Sequence, residues 1–165
     1  MEIRPELPGD QSAIAQVVTA AFLEAEHSGG NEPEIVDLLR TAGTLSVSLV
    51  ATEDERIIGH VAFSPVAIDG RSDGWFGLGP VAVERRRQRE GIGRALIEAG
   101  IGELRQRGAK GCVVLGDPAY YAHFGFAADP DLCLPGVPAE YFQRLSFDGQ
   151  SCSGVVSYQP AFDAP

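Results

Sequence analysis

Lysine is almost missing from this 165-residue chain, which holds only Lys110. That excludes a phosphate-binding P-loop, whose G-x-x-x-x-G-K-[ST] run needs a lysine after its second glycine. Cysteine is also sparse: Cys112, Cys133 and Cys152 are odd in number, widely spaced and match no metal-ligand pattern. They read as buried thiols of a cytoplasmic protein, and no metal is expected. Basic charge is short overall, with 13 Lys and Arg against 23 Asp and Glu, a net charge of −10. A nucleic-acid partner is therefore not expected. No apolar run approaches the roughly 20 residues of a membrane span. The opening Met1–Glu6 lacks the basic and apolar regions of a signal peptide. The expectation is a cytoplasmic protein with no membrane partner.

What is present describes a folded chain. Hydrophobic residues make up 44%, ordinary for a globular protein, and no repeat, low-complexity tract or linker divides residues 1–165. One domain is expected. Glu2 to Arg4 reads as a first strand, broken by Pro8-Gly9-Asp10, with Asp10 able to cap a helix that carries Ile14, Val17, Val18, Ala21 and Phe22 on one face. His27 to Glu32 reads as a loop, and Pro33 opens a short second helix. Ser46 to Thr52 and Ile57 to Ala67 read as strands around the turn Asp54-Glu55-Arg56. After a second turn at Asp69-Gly70, a strand spans about Trp75 to Val83. Gly111 to Gly116 is a continuous apolar run, as in a strand buried on both faces. A short helix near Ala139–Gln143 and a last strand from Cys152 to Tyr158 complete the pattern. The fold class is α/β (α+β), a mixed sheet with helices on both faces.

The informative stretch runs from Leu78 to Leu104. An apolar strand ending Val81-Ala82-Val83 leads into an arginine-rich connector, then Gly91-Ile92-Gly93-Arg94, then a long helix that Gly108 terminates. The first N–H groups of a helix lack intrahelical partners and carry partial positive charge. Gly91 and Gly93 leave no side chain to keep an anion from those amides. Residues 85–94 hold five arginines against one acid, a local +4, in a chain that is acidic elsewhere. Such a spot suits one polyanionic ligand and a cationic second substrate, although a solvated charge run would look alike. The dinucleotide-binding G-x-G-x-x-G is not matched in full, because Leu96 stands at the third glycine position and the motif sits mid-chain.

The run Gln88-x-x-Gly91-x-Gly93, after a V-x-V strand and before a long helix, resembles the acetyl-CoA motif of the GNAT superfamily of N-acetyltransferases. A second stretch, Tyr121 to Phe126, reads Y-x-x-x-G-F and resembles the segment after the fifth strand in those enzymes; with Tyr120 it looks like the YY-x-x-FGF of one bacterial branch. Two departures stand out: Glu84 replaces a common proline, and the usual Asn-x-x-Ala is shortened to Asp117-Pro118-Ala119. The resemblance implies a GNAT-like acyl-CoA N-acyltransferase fold with a mostly antiparallel central sheet. The cofactor half would cover about residues 75–126, and residues 129–165 would complete the sheet.

The implied activity is transfer of an acetyl group from acetyl-CoA, as co-substrate, to a primary amine by direct attack in a ternary complex. Backbone groups of Val81 and Val83 would pair with the pantetheine arm, and an N–H near Val81 would bond the thioester oxygen. Gln88, Arg89, Glu90, Gly91, Ile92, Gly93 and Arg94 would hold the pyrophosphate. Tyr121 would protonate the leaving thiolate, its reference pKa near 10 keeping it protonated at neutral pH; Tyr120 is the alternative donor. The general base stays open between His60, an acid among Glu26, Glu32 and Glu34, and a water relay. The acceptor would be a small-molecule amine or a protein amino group, and a homodimer is compatible with the chain. A non-catalytic acyl-CoA binding or sensing module would keep the glycines but could dispense with Tyr121; a nucleotide-binding protein is the third reading.

Overall fold

A computed structural model describes residues 1–23, 30–149 and 152–163. In chain order the elements are β1 (Glu2–Pro5), α1 (Gln11–Phe22), α2 (Glu32–Thr41), β2 (Val47–Glu53), β3 (Arg56–Pro65), β4 (Ala67–Ile68), β5 (Trp75–Val83), α3 (Ile92–Gln106), β6 (Gly111–Leu115), α4 (Pro118–Tyr121), β7 (Ala127–Ala128), β8 (Leu132–Cys133), β9 (Phe142–Ser146) and β10 (Gly154–Ser157). Seven strands form the central sheet in the order β1-β2-β3-β5-β6-β9-β7. Every neighbouring pair is antiparallel except β5 and β6. A second, small sheet has the order β4-β10-β8.

Local chemistry accounts for the turns. Asp54 and Glu55 both have positive φ (52° and 63°), as do Asp69 and Gly70 (50° and 79°). Two consecutive left-handed residues fit the twist of flanking strands and close tight hairpins. Pro65, which offers no N–H, ends β3 and lets the chain cross into the small sheet at β4.

The two faces of the central sheet are covered differently. On one, Ile92, Leu96, Ile97, Ile101 and Leu104 of α3 pack on Leu49, Ala51, Val61, Phe63, Cys112 and Val114. On the other, Ile14 and Val18 of α1 and Val36 of α2 pack on Val50, Ile57 and Ala82. The alternation Leu49/Val50/Ala51 across β2 is the two-residue period of a strand covered on both sides. The small sheet adds its own core, in which Val66, Trp75, Val113, Phe142 and Val156 meet.

Three local expectations change. Asp10 does not cap α1; its carboxylate accepts from the Leu7 N–H at 2.7 Å and from Arg4, closing the 3-10 turn before the helix. The segment near Ala139–Gln143 is one 3-10 turn, Ala139–Tyr141, followed by β9 rather than a helix. Phe142 and Gln143 are buried there, and pairing along the whole of β6 outweighs the weak local helical preference. The last strand, β10, belongs to the small sheet and not to the central one.

Candidate active site

The site begins where the central sheet comes apart. β5 and β6 pair only through Trp75↔Gly111, Phe76↔Cys112 and Gly77↔Val113. Beyond that rung β5 runs on to Val83 with β3 as its only strand partner among the described residues. The stretch Leu78–Val83 therefore has one edge open to a guest that can hydrogen-bond like a strand. The register against β3 slips between Val61↔Val81 and Phe63↔Leu78, so β5 carries one extra residue there, a bulge that bends β5 just past the last rung.

The connector then folds back. Gln88 Nε2 donates to the Val83 carbonyl at 3.1 Å, closing the loop onto the end of β5. Arg89 has φ 69° and Gly91 φ 85°, so the chain turns twice through left-handed conformations before α3. Such a turn brings successive N–H groups together, and no side chain caps the start of α3. A Cβ at Gly91 would meet nothing within 4 Å. One at Gly93 would project beside the Tyr120 hydroxyl, at 3.5 Å. These amides, bare of side chains and set at a helix N-terminus, fit a diphosphate.

A groove of about 480 Å³ brings together Val81, Val83, Gln88, Arg89, Gly91, Ile92, Gly93 and Arg94. Eight of the nine residues expected to hold the cofactor thus converge. The ninth, Glu90, turns its carboxylate to Arg87 (3.0 Å) and does not line the groove. Arg87 also pairs with Glu53, and Arg94 Nε donates to Glu98 at 3.1 Å.

Arg87 also lines the groove, and three residues of the second motif complete it: Tyr120, His123 and Phe124. Their spacing of three and four along a helical turn puts them on one side, a signal readable in Tyr120-x-x-His123-Phe124. Asp117 starts that turn by accepting the Ala119 N–H at 3.0 Å.

Tyr121 points elsewhere. Its ring lies against Gly116 at the end of β6, where any Cβ would collide with it. It meets Phe126 edge-on at 5.9 Å between centroids. Burial pushes its hydroxyl up to about 12, so it is protonated across the physiological range. Burial also raises Tyr120, partly offset by Arg94.

His60 is fully buried on β3, on the face covered by α1 and α2. Its Nε2 lies 2.8 Å from Ser48 Oγ, which donates to Glu6 Oε1 at 2.6 Å. Arg40 grips the same carboxylate through Nε and Nη2 at 2.7 and 2.9 Å. With Glu6 accepting the Ser48 proton, Ser48 accepts from His60 Nε2–H and leaves Nδ1 bare. Burial pulls His60 down to about 4; Glu6 opposes the shift and Arg40 adds to it. A histidine so weakly basic ties elements together rather than collecting a proton at neutral pH. Glu34 is exposed, Glu32 sits in the first turn of α2, and Glu26 lies outside the described residues. Among the described residues no cluster of His, Cys, Asp and Glu could hold a metal, and no helix is long and apolar enough to cross a membrane.

Known proteins resemble this chain in sequence and shape. Residues 45–128 match the acetyltransferase (GNAT) domain family. The uncharacterised N-acetyltransferase YhbS of Escherichia coli K12 is 38% identical over 170 residues, covering 99% of both chains. A crystal structure of a GNAT family acetyltransferase from Brucella melitensis in complex with acetyl-CoA superimposes with a TM-score of 0.89 at 49% identity, over 98% of this chain and 97% of that one. YhbS from E. coli in complex with CoA gives a TM-score of 0.90 at 35% identity, over 99% and 92%.

Proposed function

The chain belongs to the GNAT acetyltransferase family, and from that premise we propose that it transfers an acetyl group from acetyl-CoA to a primary amine by direct attack in a ternary complex. The observation that carries the reading is the groove joining the open edge of β5 to the bare N-terminus of α3. Its two halves suit the two ends of one long ligand, a strand-like amide arm and a diphosphate. That two relatives are seen with acetyl-CoA and CoA supports the same choice of ligand.

Bound acetyl-CoA supplies a thioester whose carbonyl the amine attacks, forming the N–C bond as the C–S bond breaks. The open edge at Val81 and Val83 would hold the pantetheine amides, and an N–H near Val81 would face the carbonyl oxygen as negative charge grows on it. Amides of residues 89–94 would hold the diphosphate, with Gln88 pinning the turn to β5. Glu90 would contribute through its backbone, since its side chain is engaged by Arg87. Tyr121 would donate its proton to the departing thiolate. The support is its place beside Gly116, just past the end of β6, and its protonated state. No side chain is assigned as base; the poor basicity of His60 favours loss of the amine proton to water.

The reading takes residues 1–165 as one transferase domain, acting in the cytoplasm as its free cysteines suggest. Small amines and protein amino groups are both acceptable partners, and self-association into a homodimer belongs to the same reading. The experiment is thiol release from acetyl-CoA across a panel of polyamines, arylalkylamines, aminoglycosides and peptides with free N-termini. Amine-dependent release is expected with at least one class. Tight acetyl-CoA binding with no release for any of them would favour a binding module instead.

A further inference from the structure

One tyrosine outside both motifs reaches the same fork in the sheet. Tyr158 follows β10 and packs with Val66, Trp75, Val113 and Val156, on the face opposite α3. Gln159 Nε2 donates to the Pro65 carbonyl at 2.9 Å, pinning this segment to the end of β3. The Tyr158 ring meets Phe162 at 5.1 Å between centroids, and Phe162 in turn packs with Ile35 and Leu39 of α2.

The ring lies directly over Gly77: a Cβ there would fall 2.5 Å from Tyr158 Cε1. Gly77 forms the last rung between β5 and β6. Tyr158 therefore covers the point where the two strands begin to part. Ser64 stands opposite Gly77 on β3, and its buried hydroxyl has no hydrogen-bond partner. Burial pushes the Tyr158 hydroxyl up, and the groups that act on it next are Cys112 and Tyr121. Both belong to the α3 side of the sheet. Tyr121 packs with the α3-side core and Tyr158 with the core on the opposite face. The two tyrosines thus flank the fork from opposite faces, with no β5–β6 ladder beyond Gly77 between them.

Resting on the transferase reading above, we propose that Tyr158 forms the acceptor-side wall of the transfer site, in contact with the acetyl group of bound acetyl-CoA and opposite Tyr121. An incoming amine then approaches past the Tyr158 ring, whose face favours a cationic or aromatic acceptor. The glycine at position 77 is what lets this ring come so near the fork.

The chain holds four tyrosines, so full-length protein labelled at tyrosine Cζ with carbon-13 gives four resonances. Single Tyr→Phe variants assign them, and elimination assigns Tyr158 if Tyr158→Phe does not fold. Two probes are titrated: acetyl-CoA, and adenosine 3′,5′-bisphosphate, which lacks the pantetheine and acetyl parts. Tyr120 should shift with both, while Tyr121 and Tyr158 should shift with acetyl-CoA alone. A Tyr158 resonance that stays fixed while Tyr120 and Tyr121 respond to acetyl-CoA overturns the inference, as does an equal response of Tyr158 to both probes. If acetyl-CoA moves none of the four, the transferase reading fails and this inference falls with it.

Discussion

Tyr120 and Tyr121 are neighbours in the chain, yet their rings stand 86° apart with centroids at 5.0 Å and face different surroundings. Tyr120 looks into the groove beside Gly93; Tyr121 lies on Gly116 at the opening of the sheet. Removing each hydroxyl should accordingly have a different effect. Tyr121→Phe should lower kcat by roughly 10²-fold or more with little change in acetyl-CoA affinity, since a positioned general acid is typically worth about 10²–10⁴-fold. Tyr120→Phe should leave kcat near normal and weaken acetyl-CoA modestly. Steady-state kinetics with an accepted amine separate the two, and a larger kcat loss for Tyr120→Phe would transfer the acid role to the other ring. The Y-x-x-x-G-F register alone singled out Tyr121 as the catalytic candidate. That Tyr120 lines the groove was less visible, because ring direction depends on Gly116 and Phe126 packing around one member of the pair.

Helix α3 carries three glycines whose roles are not distinguishable from composition. Gly100 is structural: a Cβ there would run into the ring of Phe63 across the core. Gly93 has ordinary backbone, and a Cβ there would make ordinary van der Waals contacts with Tyr120 and Val83 at 3.5 Å. Gly93→Leu should thus fold well, and the better helix propensity of leucine, by about 1 kcal/mol, should keep or raise the melting temperature without ligand. Acetyl-CoA should nevertheless lose its stabilising effect, because the new side chain fills the groove. For the native chain that effect is RT ln(1 + [L]/Kd), about 2.7 kcal/mol at a hundredfold excess over Kd. Thermal denaturation with and without acetyl-CoA tests both halves; an undiminished shift in the variant would remove the phosphate role from this turn. The turn was legible because its chemistry is local, carried by Gln88, Gly91 and Gly93 within six residues. The role of Gly100 was not, since Phe63 lies far away in the chain, and β9 was missed because its strand partner β6 overrides the local preference.

At the scale of the whole molecule, a partly buried polar chain binds four segments that sequence distance keeps apart. His60 of β3 holds Ser48 of β2, Ser48 holds Glu6 just after β1, and Glu6 holds Arg40 of α2. No periodicity announces such a network; only the lone histidine within an apolar strand hinted at it. Burial pushes Glu6 up, but its bonds to Arg40 and Ser48 outweigh this and hold it below the usual carboxylate range. His60 is held near 4, against about 6.5 for an unperturbed histidine. Because its folded value is depressed, the unfolded chain binds the proton more readily. The stability from keeping His60 neutral is fully present above about pH 6.5 and is lost as pH falls through the folded value near 4. Between about pH 7 and pH 5 that linkage amounts to roughly 2 kcal/mol, while Glu6 should lose its contribution mainly below its ordinary range near 4.3. Urea unfolding of the native chain should therefore show stability falling over this interval. His60→Gln cannot titrate, so although less stable at neutral pH it should lose roughly 2 kcal/mol less across the same interval. Equal pH slopes for the two proteins would show that His60 is not held neutral by burial, and would reopen its candidacy as the base.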